Sequence, residues 1–180
     1  MTRLQSKEQQ TYQNKINNAK GHWFEKLIQG ACKYYRVHGI AEVDKTPEPF
    51  RVKEKKRDGT FTGRFTALAQ PDFQGTLKGG RSIAFEAKYT STDKMKRAVL
   101  TDEQMKALES HYELGAVVGV CCGIGEDFYF IPWEVWRDMK TIFNRQYVKR
   151  EDIEKWRIRF NGQALFLDYI HGEVTGGEEK

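Results

Sequence analysis

The first long pattern in the chain is helical. Between residues 14 and 38, apolar residues recur every three or four positions, a spacing that places them on one face of a helix. Gly39 follows directly, and a glycine just past the last periodic residue is a common helix end. The pattern therefore predicts one long amphipathic helix over 14–38. Residues 1–13 are polar, and we expect them to be flexible.

A second pattern, strict alternation of apolar and polar residues, predicts two strands. Residues 71–77 and 81–88 both alternate, and they flank the sequence Lys78-Gly79-Gly80. Alternation of this kind is typical of strands that pack one face on a core and leave the other face polar. The two segments are therefore expected to form a hairpin.

The later part of the chain mixes helix and strand signals. Residues 101–104 (TDEQ) match a capping box, which predicts a helix start, and Gly115 is the expected helix end. The run 116–123 is apolar on both faces, as expected for a strand in the middle of a sheet. Further strands are expected at 40–43, 50–52, 127–132 and 165–170, with helices between the last two. This order predicts a mixed α/β domain.

Composition narrows the class of protein. A chain of 180 residues with 39% apolar residues fits one domain with a packed core. The three cysteines have no C-x-x-C spacing, which argues against a disulfide framework or a structural zinc site and favours a reducing compartment. No signal-like start and no bilayer-length apolar run are present. We therefore expect a single cytoplasmic domain over residues 1–180.

One segment is strongly basic and lacks apolar periodicity. Residues 53–64 (KEKKRDGTFTGR) are expected to project as a loop or hairpin. The net charge of +5 favours a polyanionic partner, and Phe61 and Phe65 are aromatic groups able to stack on bases. A solvated surface is the alternative interpretation. The candidate DNA-binding residues are Lys53, Lys55, Lys56, Arg57 and Arg64.

The candidate chemical site lies on the polar faces of the two alternating strands. Glu86 and Lys88 share one face of the second strand, and Asp72 lies on the polar face of the first. A two-residue turn would place Asp72 opposite Ala87, on the wrong face. A three-residue loop with a left-handed Gly80, or a bulge, would instead place Asp72 opposite Glu86 or Lys88. We predict this second register.

Two carboxylates that converge in this way suit metal-dependent hydrolysis. Their mutual repulsion is relieved by a hard cation such as Mg²⁺. The metal would activate a water and neutralise charge on a phosphate, while Lys88 would orient the water or stabilise the transition state. The alternative is a Glu86–Lys88 surface pair, which would contribute less than about 1 kcal/mol.

The string PDFQGTLKGGRSIAFEAK at 71–88 resembles the PD-(D/E)xK nuclease signature, with Asp72, Glu86 and Lys88 as its charged residues. The wider order of blocks is similar to RecU-type Holliday junction resolvases. These blocks are GHWFE at 21–25, YYRVHGI at 34–40, the stretch 45–52 with its Pro-x-Pro, FEAK at 85–88, and a helix near Gln104.

The resemblance implies a restriction-endonuclease-like mixed sheet flanked by helices. It also implies a homodimer that nicks four-way DNA junctions in recombination and repair with Mg²⁺ or Mn²⁺, with a basic stalk at 53–68 entering the junction. Asp72 and Glu86 would be metal ligands, Lys88 the transition-state stabiliser, Gln104 a residue approaching the metal, and Glu25 a supporting acid on the first helix.

Several alternatives stay open on the sequence. The family often has Thr where this chain has Gln70, and the stalk segment is shorter and contains more glycine than usual. Gln104 is equally well explained as a helix cap, and Glu25 as a solvated flank of its helix. Two other functions are a restriction- or repair-type nuclease acting on duplex or flap DNA, and a catalytically silent junction-binding protein. The intact carboxylates argue against the last, since carboxylates near phosphates weaken binding.

Overall fold

The computed structural model describes residues 3–47, 50–65 and 70–168. The strands are β1 (Ala41–Lys45), β2 (Phe50–Lys55), β3 (Phe61–Phe65), β4 (Phe73–Leu77), β5 (Ser82–Thr90), β6 (Lys94–Lys96), β7 (Val117–Ile124), β8 (Asp127–Pro132) and β9 (Tyr147–Lys149). The helices are α1 (Arg3–Val37), α2 (Asp102–Glu113), α3 (Trp133–Arg137), α4 (Met139–Phe143) and α5 (Arg150–Ile153). Short 3₁₀ turns lie at Arg97–Val99 and Glu154–Trp156.

A five-stranded mixed sheet in the order β1-β4-β5-β7-β8 forms the centre of the fold. β5 and β7 are parallel, and the other neighbouring pairs are antiparallel. α2 lies in the crossover between the two parallel strands, as such a connection requires. Two further sheets are two-stranded, β2–β3 and β6–β9. The predicted mixed α/β class is confirmed.

The sheet separates two apolar layers. On one face α1 packs through Phe24 and Ile28 against the sheet residues Phe73 and Phe85. On the other face α2, α3 and α4 cover a second cluster, which includes Leu108, Val120, Trp133, Trp136 and Met139. Each layer hides one side of the sheet from water, which explains why β7 is apolar on both faces.

The structure corrects two boundaries. α1 begins at Arg3 rather than near residue 14, and it ends at Val37 with Gly39 in the left-handed region at φ 62°. The strand predicted at 165–170 is wrong for its described residues. Leu165 to Asp168 form a buried turn, in which the Leu167 N–H donates to the Tyr35 hydroxyl at 3.1 Å. These residues are apolar because they fill the α1-side core, and the turn bonds replace a strand partner.

The basic segment is a hairpin, as predicted. Among the strands that the structure describes, β2 and β3 pair only with each other, and every residue of β2 is exposed. The turn is closed by the Lys56 N–H, which donates to the Thr60 carbonyl at 2.8 Å, and it includes Gly59 at φ 85°. We call β2–β3 the stalk hairpin. Within the described ranges no helix is long and apolar enough to cross a membrane.

Candidate active site

The turn between β4 and β5 sets the register of the site. The Leu77 N–H donates to the Arg81 carbonyl at 2.8 Å, so the loop has three residues, 78–80. Gly79 and Gly80 both have positive φ, 93° and 92°, which only glycine adopts at little cost. Because Phe73 pairs with Phe85, the preceding residue, Asp72, lies opposite Glu86. The predicted three-residue loop and register are confirmed.

Asp72, Glu86 and Lys88 meet on the α2 face of the sheet. The Lys88 Nζ lies 2.9 Å from Glu86 Oε2 and 3.4 Å from Asp72 Oδ2. The Ala87 N–H also donates to Asp72 Oδ2, at 3.0 Å, which fixes the Asp72 carboxylate against β5. The structure therefore brings together the three residues that the sequence singled out.

Glu86 is the most unusual member of the group. It is 0% exposed and is the one buried charged side chain among the described residues. Its pKa is raised from the ordinary value of 4.5 to about 7, mainly by burial; nearby Lys88 lowers the pKa and nearby Asp72 raises it. Its Oε1 has no hydrogen-bond partner in the described chain. A buried carboxylate oxygen without a donor is costly, so the atom calls for a proton or a cation.

Lys88 balances the two acids. Burial lowers the pKa of its ammonium, but Asp72 and Glu86 outweigh burial and raise that pKa overall. The ammonium is therefore held in its charged form between the carboxylates. A fixed positive charge beside two acids is suited to stabilising negative charge on a reacting group.

Gln104 has two roles at once. Its Oε1 accepts a hydrogen bond from the Thr101 N–H at 3.1 Å, and its own N–H donates to Thr101 Oγ1, which completes the capping box of α2. The Nε2 of the same amide donates to Glu86 Oε2 at 2.6 Å. The cap and the site were alternatives on the sequence, whereas the structure combines them. A metal contact by Gln104 would require its oxygen to leave the cap.

Glu25 lies on α1, and α1 covers the opposite face of the sheet from Glu86. Its carboxylate pairs with Lys45 Nζ at 2.5 Å and lies 3.7 Å from His22 Nδ1. In the described residues it forms no ion pair or hydrogen bond with the three site residues. The link to them is indirect, through Thr46, whose N–H donates to the Asp72 carbonyl at 2.8 Å. The catalytic role assigned to Glu25 stays a prediction.

The stalk hairpin emerges beside this site. β1 ends at Lys45, which pairs with Phe73 at the start of β4, and the hairpin is inserted between these two strands. The candidate DNA-binding residues on it are all exposed: Lys53, Lys55, Lys56, Arg57 and Arg64. The last part of the predicted stalk, residues 66–68, lies outside the described residues. Gln70 is exposed, two residues before Asp72. That the basic residues bind DNA stays a prediction.

Sequence reasoning missed Lys45 and Thr46, which position Glu25 and Asp72 from the end of β1. In the sequence, both residues follow a short apolar run and precede a proline. This pattern predicts the end of a strand, but it does not indicate which residues the strand end contacts. It also missed that Lys88 lies directly opposite Cys122 of β7, in the buried centre of the sheet.

The residues present fit a divalent cation held by few protein ligands. The described residues contain no cluster of three or more His, Cys, Asp or Glu side chains, which is the ligand set typical of structural zinc sites. Mg²⁺ is usually held by one or two carboxylates, with water and phosphate oxygens as its other ligands. Asp72 and the unpartnered Oε1 of Glu86 match that donor set.

Three comparisons with known proteins show what this chain is similar to. A family model described as RecU, Recombination protein U, matches residues 19–172. A Holliday junction resolvase RecU from Bacillus pumilus (strain SAFR-032) is 25% identical over 161 residues, which cover 84% of this chain and 78% of the relative. A solved structure of Hjc, a Holliday junction resolvase from Archaeoglobus fulgidus, matches with a TM-score of 0.42 and 14% identity, over 64% of this chain and 78% of its own. Because the family model spans well over half of the chain, the chain belongs to the Recombination protein U family, the RecU-type resolvases that its sequence resembles.

Proposed function

We propose that this protein is a Holliday junction resolvase, a divalent-metal-dependent endodeoxyribonuclease that nicks four-way DNA junctions. The observation that carries the proposal is the fully buried Glu86, which meets Asp72 and Lys88 and has an oxygen without a partner. A surface ion pair would not be buried in this way, because water would satisfy its carboxylate. The RecU relative is named for the same activity.

Asp72 and Glu86 would hold Mg²⁺, with Mn²⁺ as an alternative. The bound metal would lower the pKa of a water and neutralise charge on the scissile phosphate. The other catalytic roles would be carried by side chains of this protein. Lys88 Nζ, 2.9 Å from Glu86 and 3.4 Å from Asp72, is placed to orient the attacking water and to stabilise negative charge on the phosphate.

Two neighbours would hold the acids in position. The Ala87 N–H fixes Asp72 Oδ2, and Gln104 Nε2 fixes Glu86 Oε2. This leaves Glu86 Oε1 for the cation. We assign Gln104 to orienting Glu86, since its own oxygen is engaged by the Thr101 N–H. Glu25 would act at longer range, by neutralising Lys45 next to the Thr46 contact with Asp72.

The stalk hairpin would contact the DNA. Its exposed basic residues suit phosphates, and Phe50 and Phe61 form an exposed aromatic pair with ring centroids 5.5 Å apart. A junction has two-fold symmetry, so paired nicks are made most simply by a homodimer with two identical sites. We expect sedimentation analysis to show a dimer at the concentrations at which the protein cleaves.

The test is cleavage of a synthetic four-way junction, beside a linear duplex of the same sequence and a flap substrate. We expect paired nicks in the junction with Mg²⁺, and no cleavage with a chelator. Asp72→Ala should abolish cleavage, while Glu113→Gln, which removes an exposed carboxylate at the far end of α2, should not.

Each of the other possible results would support a different function. Equal cutting of duplex and junction would replace the resolvase with a general nuclease of the restriction or repair type. Junction binding without metal-dependent nicking would indicate a silent binding protein. Nicking that persists in Asp72→Ala would show that the catalytic site lies elsewhere.

A further inference from the structure

A second basic surface lies on the α2 side of the sheet, in the chain segment that connects β5 to α2. β6 begins six residues after Lys88, so these two residues are separated by at most about 21 Å of extended chain. After β6 the chain turns through Arg97–Val99 into α2, which carries Gln104. β6 therefore lies in sequence between two parts of the site.

The connection from β5 to β6 is hydrogen bonded. The Thr92 N–H donates to Thr90 Oγ1 at 3.2 Å, and the Thr92 hydroxyl donates to the Lys94 carbonyl at 2.9 Å. At the other end of β6 the Arg97 N–H donates to the Gln146 carbonyl at 2.9 Å. β6 is therefore held in place at both ends.

Burial defines the outer face of the β6–β9 pair. Met95 and Val148 lie opposite each other and are buried in the α2-side core. Neighbouring residues on a strand point to opposite sides, so the outer face carries Lys94 opposite Lys149, and Lys96 opposite Tyr147. We call these four residues the basic ribbon.

The ribbon has more positive charge than its own contacts balance. Lys149 pairs with Glu151 at 3.4 Å, and Arg145 beside it pairs with Asp152. Within the described residues, Lys94 and Lys96 have no carboxylate partner. The Lys94 ammonium instead lies over the Tyr147 ring, 5.1 Å from its centroid, and Arg145 lies 5.0 Å from the same centroid.

This arrangement works against the stability of the ribbon. Two lysines directly opposite each other on antiparallel strands repel, and a neutral residue at either position would relieve the repulsion. The Cα atoms of two residues that are two positions apart on one strand also lie about 7 Å apart, close to the separation of neighbouring phosphates along a nucleic-acid strand. The lysines of the basic ribbon therefore lower stability and are spaced like the charges of a polyanion. This combination indicates that the ribbon binds a polyanionic ligand.

We propose that the basic ribbon binds the phosphate backbone of the DNA arm that adjoins the active site. This inference rests on the proposed function for its choice of ligand, and it adds a contact surface separate from the stalk hairpin. The stalk hairpin would engage the centre of the junction, while the ribbon would hold the phosphates of a duplex arm. Its contacts are to phosphates, so they carry no base-sequence preference.

The test is binding of Lys94→Gln/Lys96→Gln to a labelled four-way junction, measured by fluorescence anisotropy in a chelator, so that nothing is cut. Salt is varied between roughly 50 and 200 mM. The matched control is Lys33→Gln/Lys78→Gln, which removes two exposed lysines at the other end of the sheet, near the end of α1 and in the β4–β5 loop. The two variants have the same net charge.

We expect the slope of log K against log salt to become less steep by about 1.8 in the ribbon variant, because each phosphate that a lysine neutralises adds about 0.9 to the slope. The slope of the control should be unchanged. We also expect the ribbon variant to melt at the same or a slightly higher temperature, because the Lys94–Lys149 repulsion is removed. Equal slopes and affinities in both variants would overturn the proposal, as would a native chain that binds no DNA.

The experiments distinguish failure of the ribbon proposal from failure of the proposed nuclease activity. If the native chain binds junctions but never nicks them with Mg²⁺, the proposed activity fails while the ribbon is still judged by its slope. If nicking is metal-dependent and the ribbon variant binds like the control, the ribbon fails alone.

Discussion

Two hairpins in this protein lie in opposite environments, one in the buried sheet and one in solvent. The β4–β5 hairpin lies inside the five-stranded sheet, and its aromatic pair, Phe73 and Phe85, is 0% exposed and stacked at 5.1 Å. The stalk hairpin pairs with no other strand in the described chain, and its aromatic pair, Phe50 and Phe61, is 39% and 56% exposed. The buried pair lies at the register of β4 with β5, whereas the pair on the stalk hairpin is largely exposed.

The difference follows from what each hairpin has to hold. On the proposed function, Asp72 and Glu86 hold a metal ion, and a metal site tolerates little displacement of its ligands; both residues lie where β4 and β5 pair and pack on a core. Contacts to phosphates tolerate more movement, because they depend on charge at a distance. An isolated two-stranded hairpin is only marginally stable in water, which suits a surface that adapts to its ligand. The predictions below test this division of labour.

The largest expected effect is on chemistry at the buried hairpin. Asp72→Asn should lower the rate of junction nicking by about a hundredfold to a thousandfold, on the scale seen when one group that stabilises a transition state is lost. Junction affinity in a chelator should stay within about threefold or rise, since a negative charge near phosphates is removed. Rate and affinity are measured separately, by single-turnover nicking and by anisotropy. A parallel loss of both would show that the buried hairpin also carries binding.

The two aromatic pairs should differ sharply in their contribution to folding. Phe85→Ala should lower the free energy of unfolding by about 3–5 kcal/mol, because the ring is fully buried and leaves a cavity. Phe61→Ala should change it by less than about 0.5 kcal/mol, because that ring is 56% exposed. Urea denaturation measures both. Similar losses would contradict the division between a structural and a binding hairpin.

Stability should depend on pH through Glu86. Its folded pKa of about 7 lies above the ordinary value of 4.5, mainly because of burial. A raised pKa stabilises the fold below about pH 4.5, and that stability is lost as pH rises through about 7, by on the order of 3 kcal/mol at most. The Glu86→Gln variant in a chelator should lack this loss. If the stability of the two proteins depended on pH in the same way, the pKa of Glu86 would not be raised in the folded protein. Glu113→Gln serves as the control for charge removal.

The smallest expected effect lies on the stalk hairpin. Lys55→Gln/Lys56→Gln/Arg57→Gln should reduce the salt slope of junction binding by up to about 2.7, since each of the three side chains that neutralises a phosphate adds about 0.9. The melting temperature should not change, since these side chains are exposed. Anisotropy and thermal denaturation measure the two. A large loss of stability with an unchanged slope would reverse the roles of the hairpins.

Much of the buried hairpin was predictable because its signals are local. Alternation along 71–77 and 81–88, together with two glycines, was enough to place Asp72 opposite Glu86 or Lys88, and the structure shows that the partner is Glu86. The capping box at Thr101 likewise located the start of α2. These features depend on residues a few positions apart, where backbone geometry leaves few alternatives.

The features that were missed depend on long-range packing. β6 has the sequence Lys-Met-Lys, and only burial of Met95 against β9 makes it a strand. The run after Ala164 is apolar because it fills the α1-side core, although it has no strand partner in the described residues. Glu25 was assigned to the site by resemblance, a role that stays a prediction, and its contacts with Lys45 and His22 were not foreseen. No local pattern encodes these contacts.

The position at which the stalk hairpin leaves the sheet has a consequence for engineering. The chain departs at Lys45 and returns at Phe73, two residues paired across adjacent strands, and such strands lie about 4.8 Å apart whatever is inserted between them. The Thr46 bond to Asp72 closes the base of the insertion. We therefore expect a longer, shorter or foreign hairpin grafted at this point to leave Asp72, Glu86 and Lys88 in place, so that the exposed surface of the insertion can be exchanged without rebuilding the sheet.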